Sequence, residues 1–480
     1  MSENTCACTQ SKEEMAEWLN SPEYREMNFN RKALSINPSK ACQPLGALLC
    51  ALGIDGCLPF VHGSQGCAAY FRNTLNRHLR EPVPTVSDSM TEDSAVFGGQ
   101  ANLIEGLKNA YQVYKPQMIG VFTSCMAEVI GDDLNAFIAN ARNAGSVPQD
   151  FPIAFAQTPS FVGSHITGWD NMFKALLQSL ADPRHGRWTN GRLYVVPGFD
   201  AYPGNLREYK RLVSAMGIPM TMLPDATEAM DSPHTGEYQI YPGGTPMSEL
   251  ADALNASGFI FMQRYSTVGS YKFVKNVQKI NTEVVTMPIG INNTDKFLMA
   301  LQEMTGKPIP AELEKERGRA VDSATDAHQY IHGKRFAMFG DPDLLLGLTG
   351  FLLEMGGIPA HIVCTNGTEQ FRKDIQAVLD ASPFGKDCGV HVGRDLWHMR
   401  SLLMTEPVDM LIGDSHGKFD AKDANIPLVR IGFPIMDRVN LHRSPIVGYQ
   451  GAINLVTMIA NTFMDQVDRT CPDRLFELMR

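Results

Sequence analysis

The chain has 480 residues, 44% of them hydrophobic and 20% charged, and carries a formal net charge of −10. That length exceeds one hydrophobic core and predicts two to four domains, while the acidic balance excludes the basic face that a nucleic-acid partner needs. No apolar run approaches the roughly 18 residues that span a bilayer, the N-terminal M-S-E-N-T-C-A-C is no signal peptide, and ten cysteines in such a chain point to cytoplasmic thiols and metal ligands rather than disulfides.

A short helical arm, residues 1–30, opens the chain, its helical stretch starting near residue 11. Cys6-x-Cys8 lies in its polar tail and is read as ordinary thiols. From there short β-rich runs alternate with amphipathic stretches, the pattern of βαβ units. It predicts three doubly wound, Rossmann-like α/β domains with parallel sheets, at 31–190, 191–332 and 333–480. In the first, Q-M-I-G-V-F-T (117–123) reads as a buried strand followed by a helix, which puts Cys125 at a strand's carboxyl end, where open α/β sheets bind ligands. The second runs from the strand R-L-Y-V-V-P-G-F through a helix capped by Gly217, then G-F-I-F-M-Q-R-Y, a helix near 269–280, a strand T-E-V-V-T-M-P-I-G-I and a helix from Asn293 to Thr305. A polar helix over about 309–332 leads to the third, which opens K-R-F-A-M-F-G-D and ends in a helix near 449–468. The second and third units share the order strand, helix ending in M-G, Ile-Pro, strand, a sign of internal duplication.

No G-x-G-x-x-G follows a strand and no G-x-x-x-x-G-K-[ST] loop is present, so neither a bound dinucleotide nor nucleotide hydrolysis is predicted. The chemistry lies instead in Cys42, Cys67, Cys125 and Ser160, each in a turn rich in glycine, proline or serine: A-C-Q-P-L-G, H-G-S-Q-G-C, F-T-S-C-M-A-E and T-P-S-F-V-G-S. Three soft thiolates and a hydroxyl suit an iron–sulfur cluster better than closed zinc, which favours tight C-x-x-C pairs. Cys50, inside L-L-C-A-L-G, reads as a buried hydrophobe. His62 reads as a donor bracing the G-S-Q-G-C turn, and His416 and His442 as structural or interface residues.

The segments S-K-A-C-Q-P-L-G-A, V-H-G-S-Q-G-C-A-A-Y-F-R, S-D-S-M-T-E-D-S-A-V-F-G-G, T-S-C-M-A-E-V-I-G-D-D and T-P-S-F-V-G-S-H-I-T-G-W-D, with K-E-R-G-R, H-G-K-R-F-A, L-V-R-I-G-F-P-I and L-H-R-S further on, resemble the β chains of nitrogenase molybdenum–iron proteins. The resemblance runs from about residue 20 almost to the end. It implies an oxidoreductase subunit of an α2β2 heterotetramer, in which the β chain supplies Cys42, Cys67, Cys125 and Ser160 to an 8Fe-7S P-cluster shared with the α subunit. Three thiolates and a hydroxyl under-ligate such a centre, so a partner must provide the rest. The iron–molybdenum cofactor belongs to the partner chain in this family, so no catalytic residue is assigned here. Electrons come from an ATP-driven Fe protein, which explains the missing phosphate loop, and go on to reduce dinitrogen to ammonia.

The resemblance further makes Ser160, otherwise a turn residue, an iron ligand of the oxidised cluster. It makes Tyr70, Phe71 and Arg72 neighbours of the ligands, and puts Phe97 on the surface that docks the Fe protein. Asp322 and Asp326 stand four apart on the long helix and so share a face. With Arg80 and Glu81 they match family positions that, from two β chains, hold a lone cation, calcium or iron, at the tetramer interface. Two readings compete: a scaffold subunit for cofactor assembly, which lacks most of these ligands in its family, and the β chain of a vanadium or iron-only enzyme.

Overall fold

The computed structural model describes residues 11–34, 36–182 and 189–472; the Cys6-x-Cys8 pair lies outside them. Three parallel sheets follow one another along the chain. The first holds β1 (Cys57–His62), β2 (Val86–Ser87), β3 (Met118–Thr123) and β4 (Ile153–Ala156) in the order β2-β1-β3-β4. The second holds β5 (Leu193–Val196), β6 (Met220–Met222), β7 (Gly258–Phe261) and β8 (Thr282–Val284), ordered β6-β5-β7-β8. The third holds β9 (Arg335–Phe339), β10 (Ile358–Cys364), β11 (Gly389–Val392), β12 (Met410–Gly413) and β13 (Leu428–Arg430), ordered β11-β10-β9-β12-β13. Every strand pair is parallel. The order reverses beside β1, β5 and β9, the switch point where such sheets leave a crevice.

The sequence dictates two-sided burial. In β1, Leu58 and Phe60 join a core on one face of the sheet, while Cys57 and Val61 join the core on the other, as the period of two requires. In β3, Ile119 and Val121 alternate in the same way with Met118 and Phe122. The second of these cores is continuous from Leu45 to Phe463 and includes residues of all three sheets. Cys50 is fully buried in it.

The arm forms two helices, Lys12–Leu19 with a Ser11–Glu14 capping box and Pro22–Asn30 capped by Ser21, as N-cap chemistry favours. It docks on the third unit rather than the first: Trp397 Nε1 donates to the Tyr24 hydroxyl at 2.6 Å, and Arg31 pairs with the buried Asp395 at 2.8 Å. Two expected elements differ. The strand expected over T-E-V-V-T-M-P-I-G-I ends at Val284, paired with Phe261, the last residue of its neighbour β7, and Gly290 then leads into the helix Ile291–Thr305. The helix expected near 269–280 is α-helical only over Val268–Lys272, continuing as a π-turn over Phe273–Val277.

Candidate functional site

All four candidate ligands gather at the carboxyl edge of the first sheet. Cys67 follows β1 through Gly63 and Ser64, Cys125 follows β3 through Ser124, and Ser160 lies in the loop after β4. Cys42 arrives by another route. It is the N-cap of the helix Gln43–Leu52, and a helix that leads into a parallel strand starts at that strand's carboxyl edge. Cys67 sits in the first turn of the helix Gln65–Leu79. Neither helix has a side-chain N-cap hydrogen bond, so their N–H ends favour anionic sulfur beside them.

The Cys42 thiol lies close enough to Ser160, Cys125 and Cys67 to interact electrostatically with each of them. Burial, ahead of those neighbouring sulfurs, pushes it above the ordinary thiol value, against Ser160 and Lys40. A bare thiol here stays protonated; a bound cation inverts that preference. All three thiols and Ser160 are part-exposed, which leaves one side of the group open. Among the described residues no three His, Cys, Asp or Glu side chains converge on a single ion, so this is not a zinc-sized site. Beside Cys125, the Ser124 hydroxyl is buried without a hydrogen-bond partner, and a side chain at Gly66 would meet open space. Soft donors spread over one open face fit a polynuclear iron–sulfur group.

Two devices hold Cys42 against Ser160, and neither was read from the sequence. Gln43 N–H donates to Ser160 Oγ at 3.2 Å, and Gln43 Nε2 to the Pro159 carbonyl at 2.6 Å. The helices Gln43–Leu52 and His165–Leu180 then approach backbone to backbone. A Cβ at Gly46 would stand 1.7 Å from the His165 carbonyl oxygen. The glycines in P-L-G-A and I-T-G-W were the available signal. His165 ties this loop to the third unit, its Nδ1 accepting from Ala41 N–H at 3.1 Å and its Nε2 donating to Asp341 at 2.9 Å.

Tyr70, Phe71 and Arg72 separate. Tyr70 is half exposed and an electrostatic neighbour of Cys42. Phe71 is buried in the large core, and Arg72 is exposed and beside Tyr238. Phe97 is 86% exposed, with Val96 at 74% and Val129 at 77%. Arg80 donates to the Met436 carbonyl at 2.9 Å, and Glu81 faces Arg443 at 3.7 Å. Asp322 and Asp326 are both exposed on the helix Ala311–Ile331, and among the described residues they form no ion-holding group of three with Glu81.

His62 reaches the expected turn through Asp88, whose Oδ1 accepts the Gly63 N–H at 2.9 Å. It ends β1 fully buried, its Nδ1 bonded to Asp88 and its Nε2 to Asp132 at 3.0 Å. His416 pairs with Asp414 at 2.8 Å, and His442 is buried against His78.

Fold and site define a doubly wound α/β protein with a thiol-lined carboxyl edge. A model of the nitrogenase component 1 type oxidoreductases matches residues 42–464, and the chain belongs to that family. Its relatives are more specific. It is 54% identical to the nitrogenase molybdenum-iron protein beta chain of Nostoc sp., over 98% of this chain and 92% of that one. It is 51% identical to the chain of the same name from Azotobacter vinelandii, over 95% and 89%. The solved structure "Nitrogenase Cp1 at pH 6.5" superposes with a TM-score of 0.89 at 42% identity, covering 92% of this chain and 96% of that one. A chain of "Nitrogenase Cp1 at pH 5", at 16% identity and a TM-score of 0.71, shares the fold alone.

Proposed function

We propose that this chain is the electron-transfer β subunit of a molybdenum–iron nitrogenase, and that Cys42, Cys67, Cys125 and Ser160 hold one half of an 8Fe-7S P-cluster. The observation that carries this is the gathering of three thiols and one hydroxyl on a single part-exposed edge, with Ser160 bonded to the Gln43 N–H next to Cys42. When bound, the cluster accepts and releases electrons one at a time. The chain's own residues orient the sulfurs: Gln43 fixes Ser160, His165 fixes the Ala41–Cys42 backbone, and Phe71 anchors the helix behind Cys67 in the core.

The open side of the group favours an α subunit as the cover that supplies the remaining thiolates and carries the iron–molybdenum cofactor, within an α2β2 tetramer. The exposed Val96–Phe97 segment is read as the docking face for the ATP-driven Fe protein, with Phe97 as the anchor. Arg80 and Glu81 of one β chain, with Asp322 and Asp326 of another, are read as a calcium or iron site between them. No helix among the described residues is long and apolar enough to cross a membrane.

Anaerobic co-purification with the α partner tests the central reading, followed by iron counting and electron paramagnetic resonance after oxidation. A brown complex whose cluster signal is lost in Cys67→Ala supports it. A complex without iron, or one whose signal is indifferent to Cys42, Cys67 and Cys125, overturns it.

A further inference from the structure

The ring of His62 lies between two carboxylates in a site that excludes water. The side chains of His62 and Asp88 are fully buried and that of Asp132 is 3% exposed. A neutral imidazole carries one N–H and could satisfy only one of them; its bare nitrogen would face the other carboxylate lone pair to lone pair. With both nitrogens bonded to carboxylate oxygens, the geometry calls for the imidazolium, a charge-assisted bond on each side. Burial lowers this group's proton affinity, but Asp88 and Asp132 outweigh it and hold the pKa above the ordinary histidine value.

What the triad joins gives it a consequence. Asp88 Oδ1 accepts the Gly63 N–H at 2.9 Å, at the start of the turn that carries Cys67. The His62 carbonyl accepts the Ser124 N–H at 3.0 Å, one residue before Cys125. On the other side, both oxygens of Asp132 accept the Gly99 N–H at 3.2 Å, two residues after Phe97. A Cβ at Gly99 would stand 2.6 Å from both Asp132 Oδ2 and His62 Cε1, so this approach leaves no slack. The helices Glu92–Phe97 and Cys125–Ile130 also pack against each other. A few buried charged bonds thus connect the exposed Val96–Phe97 segment to the backbones of two thiol-bearing loops.

We infer that His62, clamped between Asp88 and Asp132, is the positioning residue that couples the Phe97 surface to the Cys67 and Cys125 loops. The inference rests on the proposed reading of those thiols and of Phe97 as a docking anchor. A partner that presses on Val96–Phe97 moves Gly99 and Asp132, and the imidazolium passes the load to β1's end. His62 touches neither the thiols nor the partner; it acts through the loops it holds.

The test uses the intact tetramer with His62→Gln and Asp132→Asn, singly and together. The wild-type complex is measured first for iron and for its oxidised-cluster signal, which settles the parent reading by itself. In both variants, iron content and the cluster's response to a small redox dye, which needs no docking, are expected to match wild type. The concentration of reductase needed for half-maximal electron transfer should rise about tenfold, within the range of site-to-site couplings. The double variant should be no worse than the poorer single one, since residues acting as one unit are not additive. Normal reductase dependence in His62→Gln overturns the inference. So does parallel loss of iron or a changed response to the dye, which would make His62 a local support of the site with no link to the surface.

Discussion

The Cβ that Gly168 lacks would stand 1.9 Å from the carbonyl oxygen of Gln43. The residue after Cys42 and the helix after Ser160 therefore meet backbone to backbone, and that closeness sets the spacing of two of the four candidate ligands. In an exposed helix, alanine for glycine gains about 1 kcal/mol of helix propensity. Here the obstacle is a main-chain oxygen on a fully buried helix, which cannot swing aside, and overpacking costs typically 1–3 kcal/mol. Gly168→Ala is expected to lower the stability of the complex by about 2 kcal/mol, read from the urea midpoint, with loss of iron. A full iron complement at an unchanged midpoint would show that the two helices can part freely.

Ser160 presents its hydroxyl to Cys42 and to the Gln43 N–H. A hydroxyl that becomes a metal ligand on oxidation must give up its proton, because a more electron-poor cation lowers the pKa of bound oxygen. The midpoint potential of the oxidised couple is then expected to fall with rising pH, by about 59 mV per unit for one electron and one proton. Ser160→Ala should flatten that slope. An identical slope in the variant would assign the proton to another group.

The three-sheet plan was legible because buried parallel strands read as unbroken apolar runs, as in M-I-G-V-F-T, and helices between them carry a 3.6 period. The convergence of the four candidate residues was legible because glycine-, proline- and serine-rich turns surround them, and because long motifs frame each one. Of the supports, only the bracing of the turn by His62 was legible, and its carboxylate partners were not. His62, Asp88 and Asp132 are far apart in sequence, and each has an ordinary local reading as turn or cap residue. Their bond network exists only once β1, Asp88 just after β2 and the Gly131–Asp132 turn converge. His165 was likewise invisible, since its partner Asp341 belongs to the third unit. The strand near 282 is shorter than its composition suggests, because V-V-T-M has strand-forming residues but its neighbour β7 ends at Phe261.

Phe97 is almost wholly exposed beside Val96 and Val129, a patch that solvent alone does not favour. Truncating an anchor of this kind typically costs 2 kcal/mol or more, about thirtyfold in affinity. Phe97→Ala is expected to raise the half-saturating concentration of the Fe protein by that order and to leave the cluster's paramagnetic spectrum alone. Transfer at the wild-type concentration dependence would remove Phe97 from the docking face.

His78 gives the fold a defined acid sensitivity. Its Nε2 donates to the Ala201 carbonyl at 3.0 Å and its Nδ1 accepts from Ile435 N–H at 2.9 Å, so the buried ring is neutral and joins the first unit to the second and third. Burial, with smaller effects from His442 and Arg80, lowers its pKa to about 3. In the unfolded chain the ordinary value is about 6.5. Between those values the unfolded state holds the extra proton. Stability is therefore complete above pH about 6.5 and falls towards pH 3, by up to about 1.4 kcal/mol per unit from this group. His78→Gln, which keeps a donor and an acceptor without titrating, should lower stability at neutral pH through lost packing yet flatten its fall between pH 6 and 4. Urea midpoints of the two proteins across that interval are the measurement. An equally steep fall in the variant would mean that the acid lability arises elsewhere, with His391, whose burial lowers its pKa to about 4, the next ring to replace.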